Sequence, residues 1–361
     1  MANQDPLQPL RQRIDEIDNE IQTLISERAR CAMEVAKVKI AAGDTNFYRP
    51  EREALVLQKV KDRNNGPLPD DEMAWLFREI MSACLALEQP LNISYLGPEG
   101  TFTQSAAIKH FGHSVKTISC NAIDEVFREV ESGNANYGVV PVENSTEGMV
   151  NQTMDLFVGS PLIICGEVQL RIHHNLLSRL SDASNIKRIY SHQQSFAQCR
   201  EWLNSHMVGI EQITVNSNAE AARLAAQETD SAAIAGETAA EIYHLQVVSK
   251  NIEDDSGNTT RFLVIANQET EPTGNDKTSL MLAAQNRPGA LYGLLEPFRR
   301  FGISMTKVES RPSRKGVWEY VFFVDVEGHI KDKNIQQALN DISKDASMVK
   351  VLGSYPKASL S

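Results

Sequence analysis

Along the first forty residues, apolar positions recur at alternating spacings of three and four: Leu7, Leu10, Ile14, Ile17, Ile21, Leu24, then Arg28, then Cys31, Val35 and Val38. That is the seam of one long helix. It runs from Pro6 or Pro9, both tolerated in a first turn, to Gly43, a natural stop. At about 1.5 Å per residue the helix is ~50 Å long, with little nearby sequence to cover its seam, so the pattern predicts a dimer built on it. A second helix opens at Arg49-Pro50-Glu51-Arg52-Glu53 and stops at Asn64-Asn65-Gly66-Pro67. A third, capped near Asp70, carries Met73, Phe77, Ile80, Met81 and Cys84 on one face, and the next position on that face is Glu88.

After Gln89-Pro90-Leu91 the pattern changes to strands alternating with helices, as α/β folds require. Strands are expected at 93–96, 137–142, 162–172, 187–192, 212–215, 232–235 and 261–265. Helices are expected up to Phe111 and over 122–132, 195–204, 218–227 and 237–243. That order suggests two sub-lobes, roughly 92–170 with 250–266 and roughly 171–249, with a ligand cleft between them. Asn267 to Asp276 reads as a polar linker. Beyond it the pattern gives strand 278–284, helix 288–301, strands 303–311 and 317–326, helix 331–344 and strand 348–354, a ferredoxin-like βαββαβ plan. The fold class is therefore multidomain: an all-α domain over 1–90, a two-lobed α/β domain over 92–268 and an α+β domain over 277–355.

Composition narrows the partners. The 361 residues are 42% hydrophobic and 23% charged, enough for two or three cores. A net charge of −11 argues against nucleic acid, which needs a basic face. No run approaches the ~20 apolar residues of a membrane helix, and no apolar signal segment opens the chain. Cys31, Cys84, Cys120, Cys165 and Cys199 are odd in number and widely spaced, which fits reduced thiols and a cytoplasmic protein.

Arg28 is the misfit of the first seam. A permanent cation on an apolar stripe must meet an anion. Lys39, 11 residues on, shares its face, because at ~100° per residue that interval is three turns plus ~20°. One reading is a buried ion pair of Arg28 with Glu88 that fixes helix register. The other is a ligand with more than one negative charge, because Arg28, Lys39 and Arg52 outnumber the inward acids. Beside such a ligand Glu88 would hold its proton and donate. Arg11 lies too far along the helix to share a small ligand with Arg28 and would reach one held by a partner chain.

In the middle region, Gly97-Pro98-Glu99-Gly100-Thr101-Phe102-Thr103 joins a strand to a helix start, where backbone N–H groups can hold an anion or simply connect elements. Pro141-Val142-Glu143-Asn144-Ser145 follows the carboxyl end of a strand, where α/β proteins bind ligands. His173-His174 does not suggest a metal, because neighbours on a strand point to opposite faces and no third ligand lies near. Arg261 begins a strand at the cleft and either binds a carboxylate or forms a structural salt bridge. In the last region, Pro288-Gly289-Ala290-Leu291 opens a helix and Glu309-Ser310-Arg311-Pro312 ends the neighbouring strand.

Three resemblances follow. The helices carrying Arg11, Arg28, Lys39, Arg52, Glu53 and Glu88 resemble the all-helical chorismate mutases, which are intertwined dimers. The resemblance implies that Arg28 and the partner chain's Arg11 hold the two carboxylates of chorismate. Lys39 and Glu88 would bind the ether oxygen of the breaking bond, with Arg49, Arg52, Glu53 and Cys84 around the pocket. The implied rearrangement to prephenate uses no nucleophile, metal or cofactor. Cys84 stands where that family often has serine, and Arg49 where it can have aspartate.

The motifs at 97–102, 141–145, Ser191-His192, Gln198-Cys199 and Thr260-Arg261-Phe262 resemble prephenate dehydratase, with a fold similar to two-lobed periplasmic binding proteins. The implied reaction removes water and carbon dioxide from prephenate, with Thr260 delivering the proton. A threonine hydroxyl is a poor acid, so Thr260 must belong to a hydrogen-bonded set. Candidates around it are Thr101, Glu143, Asn144, Ser145, Ser191, Gln198, Arg261 and Phe262. Gln193 replaces a proline usual in the family.

The last domain resembles ACT domains, with Gly289, Ala290, Leu291 and Glu309, Ser310, Arg311, Pro312 matching phenylalanine-sensing signatures. That implies feedback by L-phenylalanine bound between paired domains. A dimerisation module without ligand is the alternative. Taken together, the chain resembles the bifunctional chorismate mutase–prephenate dehydratases, forming a homodimer or higher homo-oligomer. A non-enzymatic amino-acid sensor, a dehydratase with an inactive mutase arm, and arogenate as the middle domain's substrate are the competing readings.

Overall fold

A computed structural model describes residues 7–44, 46–284, 287–312 and 320–358. The chain forms two compact units. One comprises the described residues up to 49 with 56–91 and 111–115, and the other comprises 50–55, 92–110 and the described residues from 116 onward.

The first unit is helical. α1 (Gln8–Ala41) carries no acid in its first turn and has Pro9 there; α2 (Pro50–Asp62) starts on its proline and belongs to this unit from Val56 on; α3 (Asp70–Glu88) has three acids in its first turn, favourable to the helix dipole. α1 packs against α3, where Ala36, Ala74, Ser82 and Cys84 are buried. Most of the α1 seam is uncovered within the chain: Leu10 and Leu24 are 63% exposed and Val38 is 69% exposed.

In the second unit the chain first builds β1 (Asn92–Leu96), α4 (Phe102–Phe111), β2 (Lys116–Cys120), α5 (Ile123–Glu131), β3 (Tyr137–Asn144), β4 (Gly148–Met149), α6 (Asn151–Gly159) and β5 (Ile163–Arg171). It then crosses to a second lobe. That lobe holds β6 (Asn175–Ser178), β7 (Arg188–Ser191), α7 (Gln193–Gln198), α8 (Arg200–His206), β8 (Glu211–Thr214), α9 (Asn218–Ala225), β9 (Ser231–Ala235), α10 (Glu237–Ile242) and β10 (Gln246–Ser249). β11 (Thr259–Ala266) returns to the first lobe and inserts antiparallel between β3 and β5, giving the order β2-β1-β3-β11-β5. The second sheet runs β10-β6-β9-β7-β8. α5 shows how the first lobe closes: Ile123, Val126, Phe127 and Val130 form one helical stripe and all are buried. The second lobe packs closely by being small, with Ala219, Ala221, Ala222 and Ala225 of α9 near Ala233 and Ala235 of β9.

This two-lobed arrangement is the expected one, with differences in detail. The expected helix 195–204 is two helices, α7 and α8, parted at the buried Cys199, whose backbone leaves the helical region (φ −116°, ψ 16°). β6 and β10, at four residues each, are too short to display an alternation and escaped the pattern, as did β2 and α6.

The C-terminal part is β12 (Asp276–Ala283), α11 (Ala290–Arg300), β13 (Met305–Pro312), β14 (Tyr320–Glu327), α12 (Lys333–Asp345) and β15 (Met348–Pro356). Its sheet order, β13-β14-β12-β15, is ferredoxin-like. Gly289 caps α11 at φ +78°, a conformation open to glycine. One face of this sheet meets the first lobe. Val321, Phe323, Leu352 and Tyr355 share a core with Phe157, Ile164 and Leu263.

Candidate active sites

In the helical unit, Arg28 and Lys39 are half-buried on α1 and face Glu88 on α3 electrostatically. Among the described residues Arg28 makes no hydrogen bond or ion pair. The Lys39 ammonium donates to the Phe47 carbonyl (2.9 Å) and sits over the Phe47 ring (5.5 Å). Arg49 pairs with Asp44 at 2.8 Å. Cys84 is buried on α3, while Arg52 and Glu53 lie in the first turn of α2. Glu88 Oε2 is buried without a hydrogen-bond partner. Burial raises the Glu88 pKa above the usual carboxylate range, outweighing the opposing pull of Lys39 and Arg28. The helices thus bring together two cations and an acid that tends to keep its proton. Arg11 lies on an exposed part of α1, nearly five helical turns (about 4.7) before Arg28.

The second site is a cleft of about 470 Å³ between the two lobes. Three helices begin at its wall. Thr101, Phe102 and Thr103 open α4; His192, Gln194 and Ser195 open α7; Asn216, Ser217 and Asn218 open α9. Their positive dipole ends favour anions, and neither lysine nor arginine is among the described lining residues.

On the first-lobe wall stand Thr260 and Phe262 of β11 and Asn144 of β3. Thr260 and Asn144 are register partners. Asn144 Nδ2 donates to Thr260 Oγ1 (2.8 Å) and to Asn258 Oδ1 (2.9 Å), while Asn144 Oδ1 accepts from the backbone N–H of Thr146 (3.0 Å) and Glu147 (3.1 Å). The Asn144 amide orientation is thereby fixed, and its N–H points at the threonine oxygen. The Thr260 hydroxyl hydrogen is left to donate elsewhere. Ser145 supports this loop, accepting from Thr259 N–H (3.0 Å) and donating to Asn258 (3.4 Å). Thr101 lines the cleft and donates to the Leu96 carbonyl (3.0 Å).

On the opposite wall Gln198 Oε1 is 2.8 Å from His174 Nε2. Both residues line the cleft, and His174 Nδ1 and Gln198 Nε2 are buried without partners. Burial depresses the His174 pKa, so the ring is neutral near neutral pH. Its neighbour His173 turns instead to Glu253 (2.7 Å). Ser191 is fully buried behind the wall and donates to Asn218 Oδ1 (3.2 Å). It shapes the cleft through Asn218 without lining it. His174, Asn218 and Asn258 were not singled out as site residues in the sequence. Asn258 lies two residues before Thr260, the one signal that could have found it.

Two expected members of the set lie elsewhere. Arg261 and Glu143 are register partners one position away from Thr260 and Asn144, so the strand alternation turns them to the opposite sheet face. Arg261 is a buried salt-bridge residue: Nε meets Glu167 at 2.8 Å and Nη1 meets Asp325 at 2.6 Å. Glu143 is paired with Lys307 of β13. In the C-terminal sheet, Arg311 is also engaged, with Asp155 (3.1 Å) and the Asn151 carbonyl (2.7 Å) of α6. Glu309, Ser310 and Pro312 complete the end of β13, and Ala290 and Leu291 begin α11.

Family models match in three blocks: chorismate mutase type II over 10–89, prephenate dehydratase over 93–270 and the ACT domain over 278–344. A bifunctional chorismate mutase/prephenate dehydratase of Pseudomonas aeruginosa is 57% identical over 365 aligned residues, covering 100% of each chain. The chain belongs to the bifunctional chorismate mutase/prephenate dehydratase family.

Among solved structures, the prephenate dehydratase of Arthrobacter aurescens in complex with L-Phe has a TM-score of 0.68 and 31% identity, covering 74% of this chain and 90% of that one. A protein described as a novel type of quorum-quenching acylase has a TM-score of 0.69 and 28% identity, covering 74% of this chain and 98% of that one. One scaffold thus serves more than one chemistry, and it is the full-length kinship that places this chain among the bifunctional enzymes.

Proposed function

We propose that the chain converts chorismate to prephenate at the helical site and prephenate to phenylpyruvate in the cleft, under feedback control by L-phenylalanine. In the first reaction Arg28 holds a substrate carboxylate, with Arg11 of a second copy holding the other. Lys39 and protonated Glu88 donate to the ether oxygen as its bond breaks and negative charge gathers there. Restriction of the substrate to the reactive conformer supplies the remainder. Arg49, Arg52, Glu53 and Cys84 complete the pocket in this reading. The exposed α1 seam supports a homodimer, because eleven large apolar residues among those described over 7–40 are more than a third exposed in the single chain.

In the cleft, the observation that carries the reading is the 2.8 Å contact from Asn144 Nδ2 to Thr260 Oγ1. The amide N–H stabilises charge on the threonine oxygen as its proton passes to the departing ring hydroxyl. The bond to the ring carboxylate breaks, its electron pair enters the ring, and the hydroxyl leaves as water. Carbon dioxide, water and phenylpyruvate result, and aromatisation drives the step. The helix N-termini, the neutral His174–Gln198 pair and Asn258 hold the dianionic substrate. L-phenylalanine binds the C-terminal domain at the Gly289 turn and the 309–312 strand end. This reading includes a cytoplasmic setting, which accords with five free cysteines.

Absorbance assays test the proposal: chorismate is lost, phenylpyruvate forms from chorismate and from added prephenate, and L-phenylalanine suppresses the second step. No turnover of either substrate would overturn it in favour of an amino-acid sensor. Parallel rates on prephenate and arogenate identify the preferred substrate.

A further inference from the structure

We propose that Arg261 and Glu143 are positioning residues for the dehydration, and that the C-terminal sheet holds the Thr260–Asn144 pair in place through them. The inference rests on the reading of Thr260 as the proton donor. Arg261 spends its guanidinium on a buried cluster that spans two sheets. Besides Glu167 and Asp325, its Nη2 donates to Tyr355 Oη at 3.0 Å. Lys277 of β12 reaches both Glu167 oxygens at 2.9 Å, and Ser279 donates to Asp325 Oδ1 at 2.6 Å and contacts Tyr355 Oη at 2.6 Å. The cluster holds two positive and two negative side chains, so it has no spare charge for a substrate carboxylate. A balanced, hydrogen-bonded buried cluster has one low-energy arrangement and fixes the elements that carry it.

The neighbouring strand repeats the device. Glu143, directly across from Arg261, pairs with Lys307 of β13, and Lys307 Nζ also lies 2.7 Å from Met149 Sδ, a residue of the cleft wall. Each anchored residue is therefore one peptide unit from a cleft residue on the same strand. The two sheets approach closely at Gly353. A side chain at Gly353 of β15 would place its Cβ 2.0 Å from the Ile164 carbonyl oxygen of β5.

The test measures kcat and KM for prephenate in the full chain, with mutase activity and thermal unfolding as folding controls. Arg261→Met and Asp325→Asn should lower dehydratase kcat about 10- to 100-fold with KM changed less than about threefold, since small misplacement of a reacting group costs that much. Arg261→Lys should recover part of the loss. Asp325 is not among the described residues that line the cleft and bonds to Arg261 and Ser279, so its effect separates positioning from binding. A large rise in KM for Arg261→Met with normal kinetics for Asp325→Asn would overturn the proposal and make Arg261 a substrate ligand. If Arg261→Met does not fold, Tyr355→Phe, which removes one hydroxyl, decides: an unchanged kcat refutes the proposal and a lowered kcat with retained KM supports it. Thr260→Val is run in parallel. Retained dehydration there sinks the proton-donor reading itself, whereas its loss beside normal Asp325→Asn and Tyr355→Phe sinks only the positioning claim.

Discussion

The helical site and the α/β cleft are both proposed to take small dianions, and they would do so by different physics. The helical site offers full charges, Arg28 and Lys39, around a carboxyl group whose pKa burial raises. The cleft offers no lysine or arginine among its described lining residues; it presents helix N-termini, amides, hydroxyls and imidazoles, with one carboxylate, Glu147, on its wall. The difference follows the reactions assigned to them. A pericyclic rearrangement breaks and forms bonds without a nucleophile, so fixed charge and confinement suffice. Dehydration needs a proton placed on one oxygen, which calls for short directional bonds such as Asn144 to Thr260. The sites also differ in completeness. The cleft is lined within one chain, whereas the α1 seam that carries Arg28 is largely exposed in the single chain.

The largest expected effect breaks that asymmetry. Ile14→Glu with Leu24→Glu places two carboxylates on the seam, each at several kcal/mol if buried, and should lower chorismate turnover by more than ~10³-fold. Dehydration of added prephenate should change less than about twofold, and the mass in solution should fall to that of one chain. Next in size, Asn144→Ala removes the donor to Thr260 and should lower dehydratase kcat ~10²-fold, in line with the loss of one oriented donor, with mutase activity unchanged. A third prediction concerns pH. The raised Glu88 pKa means the donating, protonated form is present below that pKa and is lost as pH rises through it. Mutase kcat should therefore fall with rising pH on that limb, and Glu88→Gln, a permanent donor, should flatten the profile. The smallest effect is at Cys84, buried on α3, where Cys84→Ser should shift the chorismate KM less than about threefold.

Much of this architecture is readable from residue pattern. The α1 seam, the proline start of α2 and the βαββαβ order of the C-terminal domain each follow from period and punctuation, and their ends lie within a few residues of the expected ones. Asn144 stands out because its motif follows the carboxyl end of a strand, and Thr260 because Thr260-Arg261-Phe262 resembles the prephenate dehydratase motif. What pattern could not reveal is facing. Glu143 and Arg261 sit inside the same motifs, yet the register of β3 with β11 turns them to the C-terminal sheet. His174 was visible only as half of a histidine pair. Its pairing with Gln198 depends on β6 and α7 meeting across the second lobe, a long-range contact that leaves no local mark.

The most direct test of two separate sites on one chain compares Arg28→Ala and Thr260→Val in the full-length protein, following chorismate, prephenate and phenylpyruvate together. Arg28→Ala should abolish chorismate consumption while added prephenate is still dehydrated at the parent rate. Thr260→Val should consume chorismate normally and accumulate prephenate. Loss of both reactions in either variant, or loss of neither, would contradict the account.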